Sequence, residues 1–217
     1  MRVVLGIGLL IGALLVALFG SAGRLDLPFF WAYVTVAVVV MIIAYLRMPQ
    51  DLVQERLRPG EGGTDRHLRT IATPLYLAHL VIAGLDVGRF HWSDTVPLAL
   101  QIAGLGGVVL ALSLSMWAVT VNRFFSPVVR VQRERGHHVV TGGPYRFIRH
   151  PGYAATLLSI PSGAVALGSW WSMAPLAPVA ILILRRARIE DRYLHEHLPG
   201  YAAYAGQVPF RLIPGVW

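Results

Sequence analysis

Residues 141–153 read Thr-Gly-Gly-Pro-Tyr-Arg-Phe-Ile-Arg-His-Pro-Gly-Tyr, a polar, basic and aromatic stretch with long hydrophobic segments on either side. Its glycines and prolines predict a loop. Four side chains suited to holding a ligand, Tyr145, Arg149, His150 and Tyr153, fall within nine residues of one another. A simpler interpretation is also open, because basic residues at the end of a membrane helix often serve only as anchors.

The composition around this stretch is that of an integral membrane protein. Of the 217 residues 55% are hydrophobic, only 14% are charged, and the mean hydropathy is +0.58. A soluble domain carries about 25% charged residues. There is no cysteine, which excludes disulfides, thiolate metal sites and a cysteine nucleophile.

All nineteen basic residues are arginine, and the formal net charge is +8. The arginines cluster beside hydrophobic segments. We therefore expect the anionic partner to be lipid headgroups or a small acidic ligand, and not nucleic acid.

Apolar runs of spanning length predict an all-α membrane protein with about six transmembrane helices. Pro161, Gly168 and Pro175 divide the last run into two short helices, with a turn around Gly168-Ser169. We expect a short interfacial helix near residues 52–57 and a loop at 86–94. The runs are 3–20, 30–46, 70–86, 96–120 and 153–184.

The chain is interpreted as a single membrane domain, 1–217, with four spans in 1–121 and the chemistry in 122–217. The first run also fits a cleaved signal peptide, because Arg2 precedes it and small residues follow it. The loop to the second run is short, which favours a first run that is retained as a transmembrane helix.

Arginine counting predicts the orientation. With six spans and both termini in the cytoplasm, seventeen of the nineteen arginines are cytoplasmic, and only Arg24 and Arg89 lie outside. This topology is that of a bacterial inner-membrane protein. It places the polar segment 122–152 and the tail from Arg185 on one side of the membrane, where they can meet.

Arg186 and Glu190 are spaced i,i+4 and share one face of a helix, where they offer a guanidinium and a carboxylate to a ligand. A solvated helix end with ordinary salt bridges has the same spacing. His137, His138 and His150 with Glu190 would suit zinc or iron, but no paired-ligand helical motif occurs. We therefore expect no metal site.

Several blocks together resemble the isoprenylcysteine carboxyl methyltransferase family. The resemblance covers about 95 residues of the C-terminal half. The blocks are Asn122-Arg123-Phe124-Phe125, Val128 to Gln132, His137 to Tyr145, Arg149-His150-Pro151-Gly152-Tyr153, and Glu190-Asp191 followed by Leu194, Tyr201, Tyr204, Val208-Pro209 and Pro214.

The resemblance implies a membrane enzyme that uses S-adenosyl-L-methionine in a cytoplasmic pocket formed by the 122–153 loop and the C-terminal helix. It also implies the roles of individual residues. Arg186, Glu190 and Asn122 fall among the catalytic positions. The implied cofactor contacts are Gln132, His137, His138, Val139, Val140, Tyr145, Arg149, His150, Pro151, Tyr153 and Glu190.

This chain departs from the family pattern in its Glu-Asp pair, where the family has Glu-Glu, and in its shortened Leu198-Pro199-Gly200-Tyr201 segment. The expected acceptor is a lipophilic or lipid-linked carboxylate, thiol or lipid amine, in contact with membrane lipids. Two other functions stay open at this point: a non-catalytic membrane binding protein on the same scaffold, and an NADPH enzyme similar to sterol reductases. The sequence does not determine the oligomeric state.

Overall fold

The regular secondary structure is helical throughout the computed structural model, which describes residues 2–61, 63–65 and 67–217. Within these residues the only strand-like contact is an isolated antiparallel bridge between Thr64 and Val129. Arg66, one of the arginines counted for orientation, lies outside the described residues, as does the side chain of Arg2. The predicted all-α fold is confirmed.

The described residues form eight α-helices. A π-helical turn extends α1 over Val16–Gly20, and another extends α4 over Asp86–Phe90. Three short 3₁₀ turns lie at Arg133–Arg135, Gly143–Arg146 and Trp171–Leu176. The helices are α1 Arg2–Leu15, α2 Pro28–Arg47, α3 Gln50–Leu57, α4 Leu68–Leu85, α5 Leu98–Val121, α6 Pro151–Ala166, α7 Ala177–His197 and α8 Tyr201–Gln207.

Three of these helices are long and apolar enough to cross a membrane: Pro28–Arg47, Leu68–Phe90 and Leu98–Val121. Large apolar side chains point outward from them, among them Ile42, Leu77 and Leu110. Exposed apolar faces of this length suit lipid and not water. Together with the composition, they identify an integral membrane protein. α1 contributes a shorter apolar segment, Gly8–Gly20.

Small residues in the fourth predicted span are expected to allow close helix packing, and two of them do so. A Cβ atom added to Gly104 would lie 2.6 Å from the Ala166 backbone nitrogen. One added to Gly107 would lie 2.4 Å from the Ser162 hydroxyl oxygen. These glycines let α5 pack directly on α6. Gly106 has no neighbour within 4 Å and does not contribute.

The predicted turn around Gly168-Ser169 is confirmed. Gly168 ends α6 in the left-handed region, with φ of +74°, and the Ser169 nitrogen donates to the Ala164 carbonyl at 3.0 Å. This is the hydrogen bonding of a Schellman cap.

The change from apolar to charged residues predicts a helix that starts near Arg185, and this prediction is wrong. α7 does not begin near Arg185 but runs unbroken from Ala177 to His197. The change from apolar to charged residues near position 185 is a boundary of polarity, and no glycine or proline interrupts the chain between Pro178 and Pro199. One helix therefore carries both an apolar half and a polar half.

The predicted loop at 86–94 begins later than expected, because a π-helical turn continues α4 to Phe90. The helix ends at His91, whose φ is +56°. The Asp86 carboxylate is fully buried and accepts hydrogen bonds from the Ser93 nitrogen at 2.8 Å and from the hydroxyls of Ser93 and Ser169. It thus ties the end of α4 to the turn that follows α6.

A histidine inside a membrane span is more often an interhelical hydrogen-bonding residue than a ligand, and the sequence predicts this role for His79. The structure shows it buried in α4, with Nδ1 at 2.8 Å from the Ser172 carbonyl oxygen. This contact fastens α4 to the 3₁₀ turn before α7.

Candidate functional site

The 122–153 loop and α7 meet around a cavity of about 440 Å³. The loop and the polar half of α7 contribute polar and aromatic side chains. α4 and the apolar half of α7 contribute apolar ones, including Leu68, Ala72, Val179 and Ile183. The cavity is therefore polar on one wall and apolar on another.

Eleven of the predicted site residues line this cavity, although they come from distant parts of the sequence. They are Asn122, His137, His138, Val139, Val140, Tyr145, Arg149, His150, Tyr153, Arg186 and Glu190. Gln132 and Pro151 do not line it. Gln132 is fully buried and donates from its side-chain amide to the Phe124 carbonyl at 2.7 Å, and Pro151 is the first residue of α6.

Asp191 is the carboxylate that joins the loop to the C-terminal tail. Arg149 donates to both of its oxygens, at 2.8 and 3.2 Å. Tyr201 donates to it at 2.9 Å, Arg211 donates at 2.8 Å, and the His150 Nε2 atom lies 3.3 Å away. The carboxylate is buried, so these contacts replace its lost hydration.

Burial alone would raise the pKa of the Asp191 carboxyl, but hydrogen bonds from His150, Arg149 and Arg211 hold that pKa well below its usual range. Asp191 therefore stays ionised at physiological pH. In the sequence, Asp191 stands out only as part of the family pattern. Its role is identified by its pairing with Arg149, a buried arginine from the other block of the family pattern.

Arg149 lines the cavity, but its guanidinium makes four hydrogen bonds to structural partners. Besides Asp191, it donates to the carbonyls of Val208 and Pro209 at 2.7 and 2.8 Å. The backbone nitrogens of Arg149 and His150 also donate to the tail carbonyls of Phe210 and Arg211. This arginine therefore holds the tail against the loop.

Tyr153 connects the two α7 residues that the sequence placed on one helix face. Arg186 Nε donates to the Tyr153 hydroxyl at 2.7 Å, and that hydroxyl donates to Glu190 Oε2. Arg186 also donates to the Pro127 carbonyl at 2.7 Å and to Asp65. Within the described residues, the second oxygen of Glu190 accepts no hydrogen bond from the protein, and Glu190 faces the cavity.

Asn122 fixes the position of Tyr145. It ends α5, donates from its side-chain nitrogen to the Tyr145 hydroxyl at 3.0 Å and accepts from the Phe124 nitrogen at 2.9 Å. Burial raises the pKa of the Tyr145 hydroxyl, which keeps its proton. The Tyr145 carbonyl in turn accepts from the Tyr204 hydroxyl at 2.7 Å. Tyr145 is a rigid hydrogen-bond donor at the cavity wall.

The His137 ring is held in one tautomer. Its Nδ1 accepts from the Gln132 backbone nitrogen at 3.1 Å, so a neutral ring carries its proton on Nε2. The ring stacks on Phe124 with centroids 4.3 Å apart. Burial, followed by the positive charges of His138, Arg130 and Arg135, lowers the pKa of His137 to about 4. The ring is therefore neutral at physiological pH.

α3 braces the start of the loop through contacts that sequence reasoning missed. Glu55 is buried, accepts from Arg130 at 2.7 and 3.1 Å and accepts from Ser126 at 2.7 Å. Asp51 accepts from Arg135 at 2.6 Å. The available signal was the pair of acidic residues four positions apart in a short helix, but their arginine partners lie more than 70 residues away and could not be assigned.

From the sequence, four residues were candidate zinc or iron ligands: His137, His138, His150 and Glu190. Across the described part of the chain, no three histidine, aspartate or glutamate side chains form a group with the geometry of metal ligands. His138 instead points Nδ1 at the Gly136 carbonyl at 3.1 Å.

Comparison with known proteins gives a consistent match in the same region. The isoprenylcysteine carboxyl methyltransferase (ICMT) family profile matches residues 102–196. A probable protein-S-isoprenylcysteine O-methyltransferase of Oryza sativa is 31% identical over 141 residues, which are 61% of this chain and 68% of the relative.

Two bacterial relatives are named for metal resistance. The cobalt-zinc-cadmium resistance protein CzcN of Cupriavidus metallidurans is 33% identical over 138 residues, 59% of this chain and 56% of the relative. The nickel-cobalt-cadmium resistance protein NccN of Alcaligenes xylosoxydans xylosoxydans is 27% identical over 136 residues, 60% of this chain and 58% of the relative. The chain thus matches little more than half of the length of these two proteins.

Proposed function

Because the chain belongs to the isoprenylcysteine carboxyl methyltransferase family, we propose that it is a membrane methyltransferase that uses S-adenosyl-L-methionine. The acceptor is a hydrophobic or membrane-partitioned molecule carrying a carboxylate, a thiol or a lipid amine.

One observation carries this proposal: a single cavity has both a polar wall and an apolar wall. Tyr145, His150 and Glu190 lie on the polar side, and Ala72 and Ile183 lie on the apolar side. Transfer between a polar donor and a lipophilic acceptor requires that both reach one space from which water is excluded.

The chemistry of the polar wall fits S-adenosyl-L-methionine. When bound, this cofactor supplies a methyl group on a cationic sulfur. Glu190 offers a half-buried carboxylate with an uncommitted oxygen, which suits a cation or a hydroxyl donor. Tyr145 supplies a fixed hydrogen-bond donor, and the rings of His137 and His150 supply flat surfaces and nitrogen atoms along the same wall.

The protein's own contribution is alignment. Arg186 and Tyr153 hold Glu190 in one position, and Asp191 anchors the loop that carries His150. A carboxylate or thiolate acceptor needs no general base, so a rigid, dry cavity accounts for most of what the side chains must do. A lipid amine would have to arrive deprotonated or lose its proton to a neighbouring group.

A second cavity, of about 250 Å³, lies between α2, α4, α5 and α6 and shares Tyr76, Ser115 and Thr156 with the first. It supports lateral entry of an apolar tail from the bilayer.

In the arrangement that we propose, the chain is one domain with six spans. The four of residues 1–121 and the hairpin of α6 with the apolar half of α7 cross a bacterial inner membrane. Both termini and the cavity lie on the cytoplasmic side. The support for this orientation is the distribution of arginines, which are concentrated on the segments next to the cavity.

Calorimetric titration of the detergent-solubilised protein with S-adenosyl-L-methionine tests the proposal, together with labelled methyl transfer to membrane lipids and small thiols. Glu190→Gln keeps an acceptor for Tyr153 but removes the charge, so we expect cofactor affinity to fall about tenfold. Glu196→Gln is the matched control, because Glu196 lies on the same helix with its side chain 59% exposed and away from the cavity.

Wild-type protein that binds no S-adenosyl-L-methionine contradicts the proposal, as does binding of NADPH in its place. Cofactor binding without transfer to any lipid or thiol would favour a non-catalytic binding protein.

A further inference from the structure

Five arginines line the cavity, but only three of them are neutralised by a carboxylate. Arg130 pairs with Glu55 at 2.7 Å, Arg149 with Asp191 at 2.8 Å, and Arg186 with Asp65 at 3.4 Å. The other two lining arginines, at positions 56 and 69, form no ion pair with any described acidic residue. Arg56 and Arg69 are therefore the two lining arginines without a direct carboxylate contact, and Glu190, which also lines the cavity, is hydrogen-bonded to Tyr153.

Arg56 and Arg69 are held together. Arg69 donates to the Arg56 backbone carbonyl at 3.2 Å, so the end of α3 and the start of α4 stay in contact. The Arg56 guanidinium lies over the Phe125 ring, 5.2 Å from its centroid. Burial, followed by the charge of Arg69, lowers the pKa of Arg56. An anion between them would relieve this repulsion.

The aromatic ring beneath Arg56 leads directly to the polar wall. Phe125 packs so closely on Gly152 that a Cβ atom there would lie 2.6 Å from the ring. Gly152 is followed by Tyr153, which holds Glu190. One ring thus separates the Arg56 guanidinium from the start of α6, where the proposed cofactor wall begins.

Arg69 likewise begins a cavity-lining stripe on α4. Leu68, Ala72 and Tyr76 follow the helical repeat along the same cavity wall, and Tyr76 also lines the second cavity. A charged headgroup at the arginines would therefore have an apolar path beside it.

Ordinary membrane anchoring does not account for this pair. Arg47 and Arg58 lie near this pair in the sequence and are exposed, as Arg69 is, yet neither of them lines the cavity. An arginine that only anchors a helix at the membrane surface does not need to line a cavity, whereas an arginine that binds a ligand there does.

We propose that Arg56 and Arg69 form a subsite for the anionic headgroup, a carboxylate or a phosphate ester, of a molecule whose apolar tail lies along α4. The subsite lies outside the region matched by the family profile, which begins at residue 102. It deepens the proposed function and rests on it, because it defines the charge of the amphiphile that the cavity accepts.

The test measures the rise in unfolding temperature of the detergent-solubilised chain as an amphiphile is added, which reports apparent affinity by mass action. The probes share one tail: laurate, dodecyl phosphate and the neutral dodecanol. Inorganic phosphate is the probe without a tail. We expect the two anionic amphiphiles to bind at least about tenfold more tightly than dodecanol, because each makes charge-assisted hydrogen bonds.

The double variant Arg56→Gln/Arg69→Gln should lose this preference and bind all three amphiphiles equally. The matched control Arg58→Gln should keep it, because Arg58 is exposed like Arg69 but lies outside the cavity. Methylation of laurate but not of dodecyl phosphate would identify the acceptor as a carboxylate. Methylation of neither, with the preference intact, would assign the subsite to a lipid headgroup.

Equal binding of laurate, dodecyl phosphate and dodecanol to the wild type overturns the inference. So does an unchanged preference in the double variant, or inorganic phosphate that binds as tightly as dodecyl phosphate. Calorimetry with S-adenosyl-L-methionine on the double variant checks that the fold and the cofactor wall are intact. A wild type that shows the anion preference but binds no cofactor would refute the proposed function while the subsite stands.

Discussion

Two buried aspartates hold the two ends of α6, and they do so with different partners. Asp191, near the beginning of the helix, accepts from Arg149, Arg211 and Tyr201. Among the described residues Asp86, near its end, accepts only from the hydroxyls of Ser93 and Ser169 and a backbone nitrogen. About 24 Å of helix separates the two clusters.

The difference reflects what each cluster has to hold. The Asp86 cluster closes a turn between helices that are already packed through their apolar faces, and neutral donors are sufficient for that. The Asp191 cluster holds a loop and a tail that share only a small apolar cluster, in which Tyr204 and Val208 of the tail pack near Val131 and Val139 of the loop. Strong, charge-assisted hydrogen bonds add to this packing, so the cavity wall depends in large part on one charge.

Asp191→Asn should have a larger effect than any substitution in the Asp86 cluster. It leaves two arginines without their carboxylate, and breaking a buried ion pair costs about 3–5 kcal/mol. We expect a large fall in unfolding temperature and loss of cofactor binding, measured by thermal unfolding and by calorimetry in detergent. Asp191→Glu, which restores the charge, should recover part of both. Wild-type cofactor affinity in the asparagine variant would show that the network is not needed for the site.

Asp86→Asn should have a smaller effect and leave the site intact. The new amide oxygen can still accept from the Ser93 nitrogen, and the serine hydroxyls can rotate to accept from the amide nitrogen. The expected loss is about 1–2 kcal/mol of unfolding free energy. Cofactor affinity should stay within about twofold of the wild type, because the change lies at the other end of α6. A large loss of affinity would mean that the two ends are coupled.

His137 should give the smallest effect, visible as a pH dependence. Its pKa is about 4 in the folded chain and about 6.5 when unfolded, so the unfolded state takes up the proton first on acidification. Stability is complete above about pH 6.5 and is lost as the pH falls towards about 4. Between about pH 7 and about pH 5.8, where only the first part of this loss occurs, we expect His137→Asn, which retains an acceptor for Gln132, to flatten the dependence by about 2–4 °C in unfolding temperature. An unchanged pH profile would show that another group titrates.

Much of the fold was predictable because the hydrophobic pattern of a membrane helix is long and simple. The runs 30–46 and 96–120 correspond to α2 and α5 within two residues at either end. The predicted C-terminal end of α4, which the π-helical turn carries to Phe90, and the predicted start of α7 were wrong, because hydropathy reports where polarity changes and not where hydrogen bonding stops. Asp86 and Arg185 are both polar residues inside continuous helix.

The candidate site was predictable as a set of residues but not as a network. The family resemblance brought together Tyr145, His150 and Glu190, and the structure lines one cavity with them. It did not reveal that Arg149 holds Asp191 and the tail through four hydrogen bonds, or that Arg186 is held by Pro127 and Tyr153. Such pairings depend on contacts between residues far apart in the chain.

Because α7 is continuous, it fixes the distance between the apolar part and the polar part of the cavity. Ile183 on its apolar half and Glu190 on its polar half are seven residues apart, about 10 Å along the helix axis. Both face the same cavity, and no hinge lies between them. α7 therefore fixes the distance between the two parts of the cavity. In the proposed reaction, a membrane-bound molecule whose tail packs at Ile183 is modified only if its reactive group reaches about 10 Å further along the helix, to Glu190. Selectivity would then depend on the length of the linkage between tail and reactive group, in addition to its chemistry.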